Sequence, residues 1–213
     1  MCLHGERTVF PLGKSLRPGL RKTPEARVLL ALLLLHDSRR DARAGPEGDM
    51  VLLEEQDRTL WHGDEIREGL ALVESSVSAG GPYALQAAIA AVHASAPRPE
   101  ETDWQQIAAL YSLLLGIQPS PVIELNRAVA VAMADGAAAG LRLLDELEFR
   151  GELSGYYLLP AARADLLRRM GRWPEAVAAY RRALSLLSMH AERRFLARRL
   201  AEVEGQESEA RTD

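Results

Sequence analysis

Apolar positions recur at helical spacing along most of the chain, most clearly from Tyr156 to Leu187. Leu159, Ala162, Leu166, Leu167 and Met170 form one stripe, and Ala176, Val177, Tyr180, Ala183, Leu184 and Leu187 form the next. Each has the three-to-four-residue period of an amphipathic helix. Between them Gly171 and Pro174 predict a corner. Glycine ends a helix in the left-handed conformation, and proline suits a first helical turn, where its missing N–H is not needed. The stretch is therefore a helical hairpin.

Small Ala164, Ala176 and Ala183 set against large Tyr180 and Leu187 match a tetratricopeptide repeat, a helix pair of about 34 residues that buries its apolar face only against neighbouring copies. Weaker copies lie upstream. Trp104, Ile107, Tyr111 and Leu114 stand 69 residues before Trp173, Ala176, Tyr180 and Ala183, and Gly140, Leu144 and Leu147 fall midway. The predicted helices run over about 24–39, 64–79, 82–95, 103–116, 121–134, 137–147, 156–170, 174–187 and 191–204. Thr23-Pro24 starts the first, Gly80-Gly81-Pro82 separates the second and third, and Thr102 with Gln105 has capping-box spacing. The fold class is all-α: a tetratricopeptide-like solenoid of helical hairpins over 23–204. Residues 1–22 read as a flexible lead-in and 205–213 as a disordered, acidic tail.

One stretch breaks the rhythm. Residues 37–62 contain turn signals at Gly45-Pro46 and Gly48-Asp49, followed by MVLLEEQDRTLW. That is longer than the roughly 2 to 8 residues usual between helices of a bundle. An ordered insertion is expected, with a short strand at Met50 to Leu53, docked on the solenoid.

Composition narrows the possibilities. Of 213 residues 47% are hydrophobic but only 5% aromatic, so the core is aliphatic. The single cysteine, Cys2, excludes an internal disulfide framework and a multi-thiolate zinc site, and the cytoplasm is the expected compartment. The run Val28 to Leu35 is far short of the ~20 residues of a membrane span. The polar block that follows it has the wrong order for a signal peptide. The net charge of −4 hides an asymmetry: residues 41–103 carry 13 acids and 4 arginines, whereas 156–199 carry 10 arginines and 3 acids. Opposed ends steer a charged partner or are simply solvated helix faces.

No motif supplies a convergent nucleophile, base and orienting group, and no phosphate loop, His-Glu-x-x-His or cysteine pair is present. An enzyme is not expected, nor a cofactor. The densest polar cluster flanks and fills the insertion: His36, Asp37, Arg39 and Arg40 before it, then Asp49, Glu54, Glu55, Asp57, Arg58 and His62. It reads as a partner-binding surface, as a ligand or metal site using His36, Asp57 and His93, or as internal pairs in which Arg39, Arg40 and Arg58 hold Asp49, Glu55 and Asp57. Asn126 and Arg127 either grip an extended peptide or sit beside a capping Glu124. Trp61, Trp104 and Trp173 mark helix starts and read as packing residues. Arg193, Arg194, Arg198 and Arg199 read as a solvated basic band.

The segments LLLLHDSRRDAR, GDMVLLEEQDRTLW, PYALQAAIAAVHA, DWQQIAALYSLLL, PSPVIELNRAVAVAMADG, PAARADLLRRMGR and AERRFLARRLAE, in this order, resemble the C-terminal tetratricopeptide-like extension of one group of bacterial extracytoplasmic-function RNA polymerase sigma factors. The likeness spans roughly residues 24–204. The family's polymerase-binding and promoter-reading modules have no counterpart in this sequence, so no promoter-contacting residue carries over. The resemblance implies a regulatory interaction domain acting in transcription initiation. Its implied partners are the sigma modules in cis or core polymerase, with no direct nucleic-acid contact and no membrane. The candidate partner-binding residues are His36, Asp37, Arg39, Arg40, Asp49, Glu55, Asp57 and Arg58 of the insertion cluster, with Asn126 and Arg127.

Overall fold

The computed structural model describes residues 23–46, 48–76, 80–187 and 190–210. The lead-in over 1–22, with Cys2, lies outside them. Among the described residues, nine α-helices and no strand occur: α1 Pro24–Asp37, α2 Gly63–Ser76, α3 Pro82–Ser95, α4 Trp104–Ile117, α5 Pro121–Asp135, α6 Ala137–Arg150, α7 Leu158–Arg169, α8 Trp173–Ser185 and α9 His190–Ala210. Each packs mainly on its neighbours in the chain, and α1 also packs on α3. The fold is an all-α solenoid of helical hairpins.

Local chemistry sets the boundaries. Thr23 caps α1 by accepting from the Ala26 N–H at 3.3 Å, with Pro24 in the first turn. The cap of α4 is Asp103, which accepts from the Gln106 N–H at 2.9 Å, and not Thr102. Carboxylate at this position satisfies an orphan N–H of the first turn and complements the helix dipole. Gly171 turns the α7–α8 corner at φ +68°, where the Arg172 N–H closes onto the Leu167 carbonyl at 2.9 Å. At the far end α9 continues to Ala210, through residues expected to be disordered. Val203 is 1% exposed against the core, and extending an anchored helix is far easier than nucleating one.

The repeat is physical. Ile107, Gly140 and Ala176, equivalent by spacing, are all buried, as are Leu114, Leu147 and Ala183. Among the described residues the buried side chains nevertheless form three clusters rather than one seam: Val28, Leu32 and Leu35 with α3 alanines; Ile89, Ile107 and Ala130; and a large cluster from Leu125 to Val203 spanning α5–α9. Trp104 packs on the second cluster and Trp173 on the third.

The insertion leaves α1 and returns at one point, where the His62 N–H donates to the Ser38 carbonyl at 2.8 Å. Inside it the expected strand at Met50 to Leu53 does not form. A single antiparallel bridge joins Ala44 to Met50, and short 3₁₀ turns occupy Arg40–Ala42, Leu53–Glu55 and Arg58–Leu60. A lone two-stranded ribbon is marginal in water. Met50 and Leu52 instead pack on the large cluster, so burial against α5–α9 replaces strand pairing.

Candidate functional site

The insertion runs as a strap to α7 and α9 and borders a cavity of about 740 Å³. Its floor is Leu125, Asn126, Val129 and Met133 of α5; one wall is Leu158, Ala161 and Ala162 of α7; the far wall is Phe195 and Leu196 of α9. Met50, Leu52 and Leu53 close it from the strap. The volume lies within the range of small-molecule sites, which are mostly apolar with a few placed polar groups.

Ion pairs fasten the strap. Glu54 accepts from Arg169 at 2.7 Å, Asp49 from Arg194 at 2.6 Å, and Glu55 pairs with Arg199. Arg198 stands 3.5 Å from Asp49. The acidic stretch and the basic band are thus two halves of one contact. Arg194 and Arg198 stay about half exposed, as a solvated face would have them, while Arg199 is mostly covered; what is corrected is the expected partners of Asp49 and Glu55. Among the described residues Asp57 pairs with no arginine; it caps a 3₁₀ turn by accepting from the Thr59 N–H at 2.9 Å and hydroxyl at 2.7 Å.

The arginines of the cluster serve the strap's other root. Arg58 donates to the carbonyls of His93, at 3.0 Å, and Ala96 at the end of α3, and stacks 4.4 Å from the Trp61 ring centre. Arg39 lies 3.1 Å from His36 Nδ1 and 5.7 Å from the same indole. Arg40 bonds both oxygens of Glu65 at 2.8 Å and Asp37 at 3.0 Å, and lies 3.2 Å from His62 Nδ1. His36 and His93 are driven down to about 4, first by burial and then by nearby arginines. Both are neutral at pH 7. His93 rests edge-on against Trp104. Asp57 takes no part with these histidines, and no group of three metal-ligating side chains occurs among the described residues.

Of the candidate partner-binding residues, Glu55, Arg58 and Asn126 line the cavity, as do Glu54 and His93 of the other readings. Arg127 faces elsewhere, donating to the Ser112 hydroxyl of α4 at 2.8 Å, and Glu124 pairs with Arg150. Sequence reading missed Asp165, Tyr157, Tyr180 and Glu192, which also line it. Burial opposes the Asp165 carboxylate, but the Arg168 and Arg169 guanidiniums outweigh it and hold its carboxyl below the usual range. Burial and then Asp165 push the Tyr180 hydroxyl up to about 12. The one signal that pointed here was the charge asymmetry, because no local motif distinguishes these residues from other helix positions.

Residues 7–77 match the model of a family of unknown function (DUF6596). The chain is 46% identical over 175 residues to an uncharacterized protein of Rhizobium meliloti (strain 1021), a match covering 81% of this chain and 41% of that protein. The chain therefore spans less than half the length of this curated relative. No solved structure matches it. Among the described residues no helix is long and apolar enough to cross a membrane.

Proposed function

We propose that this chain is the regulatory interaction domain of an extracytoplasmic-function sigma factor, acting in transcription initiation by binding sigma modules or core polymerase, and not an enzyme. The reading rests on the ordered sequence blocks that resemble that family's extension. The structural observation that supports it is an exposed apolar pair: Leu113 and Ile117, one turn apart on α4, are 59% and 54% exposed. Two large apolar side chains side by side on one exposed helix face fit a surface that another protein covers. A pull-down with separately expressed sigma modules and with core polymerase is expected to retain the wild-type domain, and Leu113→Glu/Ile117→Glu to lose it. Failure of the wild type to bind either partner at micromolar concentration would sink the proposal.

The cavity favours a second reading, a sensory domain that takes a small molecule beneath the strap. The supporting observation is a half-open, mainly apolar volume lined by residues of the strap, so that a ligand bound there would touch the strap as well as the helices. Thermal-shift screening against a broad metabolite panel is expected to find a stabilising compound; none across the panel removes this reading.

A further inference from the structure

The tip and the roots of the strap are held by different means. Its roots are tied to backbone carbonyls: the His62 N–H closes onto Ser38 at 2.8 Å, and Arg58 donates to His93 and Ala96. The tip, residues 49–55, has no structure of its own beyond the 3₁₀ turn Leu53–Glu55 and the Ala44–Met50 bridge. What holds it is an acid, apolar, acid pattern, DMVLLEE, matched to the helices. Asp49 meets Arg194 and Arg198 of α9, Glu54 meets Arg169 of α7, and Glu55 meets Arg199 of α9, while Met50 and Leu52 pack partly buried on the large cluster. Arg194, Arg198 and Glu55 are 53%, 49% and 40% exposed, so these pairs are of the weak, salt-screened kind. The tip also leaves its site underfilled, since the cavity of about 740 Å³ beside Leu53 is lined by Val129, Met133, Leu158 and Phe195.

We infer that this face of α5, α7 and α9 is a recognition site for an acidic, apolar segment of a partner protein, and that the strap tip is its resident stand-in, displaced when the partner binds. Charge complementarity names the occupant: the tip shows that Arg169, Arg194 and Arg199 take carboxylates on either side of the apolar run 50–53. A tethered tip competes at an effective concentration on the order of millimolar. A partner segment whose apolar side chains reach into the cavity gains contacts that the tip does not make, and those contacts offset the tether. The roots at Ser38, Arg58 and His62 hold throughout, so only the tip moves. The site is separate from the Leu113 and Ile117 pair on α4, so either surface can fail alone.

Fluorescence anisotropy with a labelled peptide of the tip's own sequence, GDMVLLEEQD, tests this on the full chain. Glu54→Ala/Glu55→Ala loosens the tip and takes its carboxylates away from Arg169 and Arg199. That variant is expected to bind the peptide saturably, about three- to tenfold tighter than wild type, the worth of two partly exposed pairs. The same peptide with Asn and Gln in place of Asp and Glu is expected to bind about tenfold more weakly. In isotope-labelled wild type, the acidic peptide at about 1 mM, comparable with the tether, is expected to quicken amide exchange over residues 49–55. Binding no tighter in the variant, or unchanged exchange of the tip in wild type, overturns displacement. Equal binding of the uncharged peptide overturns the acidic partner, and no saturable binding to the variant overturns the site itself.

Discussion

Gly140 sits where a methyl group has no room: a Cβ built there falls 2.4 Å from the Ala132 Cβ and 2.6 Å from the Ala128 carbonyl. At Gly69 the obstruction is the Leu35 side chain, at 2.8 Å, which can change rotamer. Gly140→Ala must therefore push the α5 and α6 backbones apart, and a loss of about 1–3 kcal/mol is expected, larger than for Gly69→Ala. Urea denaturation of both variants checks the order, and a reversed ranking rules out the close α5–α6 approach. The buried histidines set a pH dependence. His36 and His93 take up a proton near 6.5 when unfolded and only near 4 when folded, so their contribution is complete above about 6.5 and lost as the pH falls towards 4. The loss is on the order of 2–3 kcal/mol for each. Urea midpoints of His36→Gln/His93→Gln are expected to be flatter than wild type between pH 6.5 and 4.5. Gly140 was visible in the sequence as a small residue in a repeat position, but the histidines' burial was not, since neither lies in a distinctive motif.

At the scale of elements, the helices follow from periodicity and caps, and the strap does not. Its fasteners Glu54–Arg169, Asp49–Arg194 and Glu55–Arg199 join positions far apart in the chain. Partly exposed pairs are each worth about 0–1 kcal/mol and weaken with salt. Glu54→Ala/Glu55→Ala is thus expected to leave global stability nearly unchanged while hydrogen exchange quickens over residues 49–60, an effect that 1 M salt reproduces in wild type (roughly a 3 Å screening length). Equal exchange in wild type and variant would mean that Met50 and Leu52 hold the strap alone. The sequence located the insertion by its broken rhythm. Its landing place depended on which arginines faced inward, and spacing within one helix cannot say that.

For the whole molecule, division of the core into three clusters matters more than the number of repeats. Stability in a stacked array is nearly a sum of local terms. Leu35, 1% exposed in the α1–α3 cluster, makes the test: Leu35→Ala is expected to cost about 2–5 kcal/mol. Hydrogen-exchange protection should fall in α1–α3 first while α7 and α8 keep theirs. Uniform loss along the chain would indicate one cooperative core. The strap is a cross-link in this array, running from the end of α1 to α7 and α9.

The sequence by itself determined the helices, their order and the hairpin architecture, because helix formation is governed by periodicity and capping within a few residues. It also carried the charge asymmetry without its meaning. Only the tertiary structure decided that the acidic and basic stretches meet, and that Asn126 and Asp165 line one cavity whereas Arg127 does not. Those outcomes depend on the rotation of each helix about its axis and on contacts between residues more than a hundred positions apart, which packing sets and local pattern leaves open.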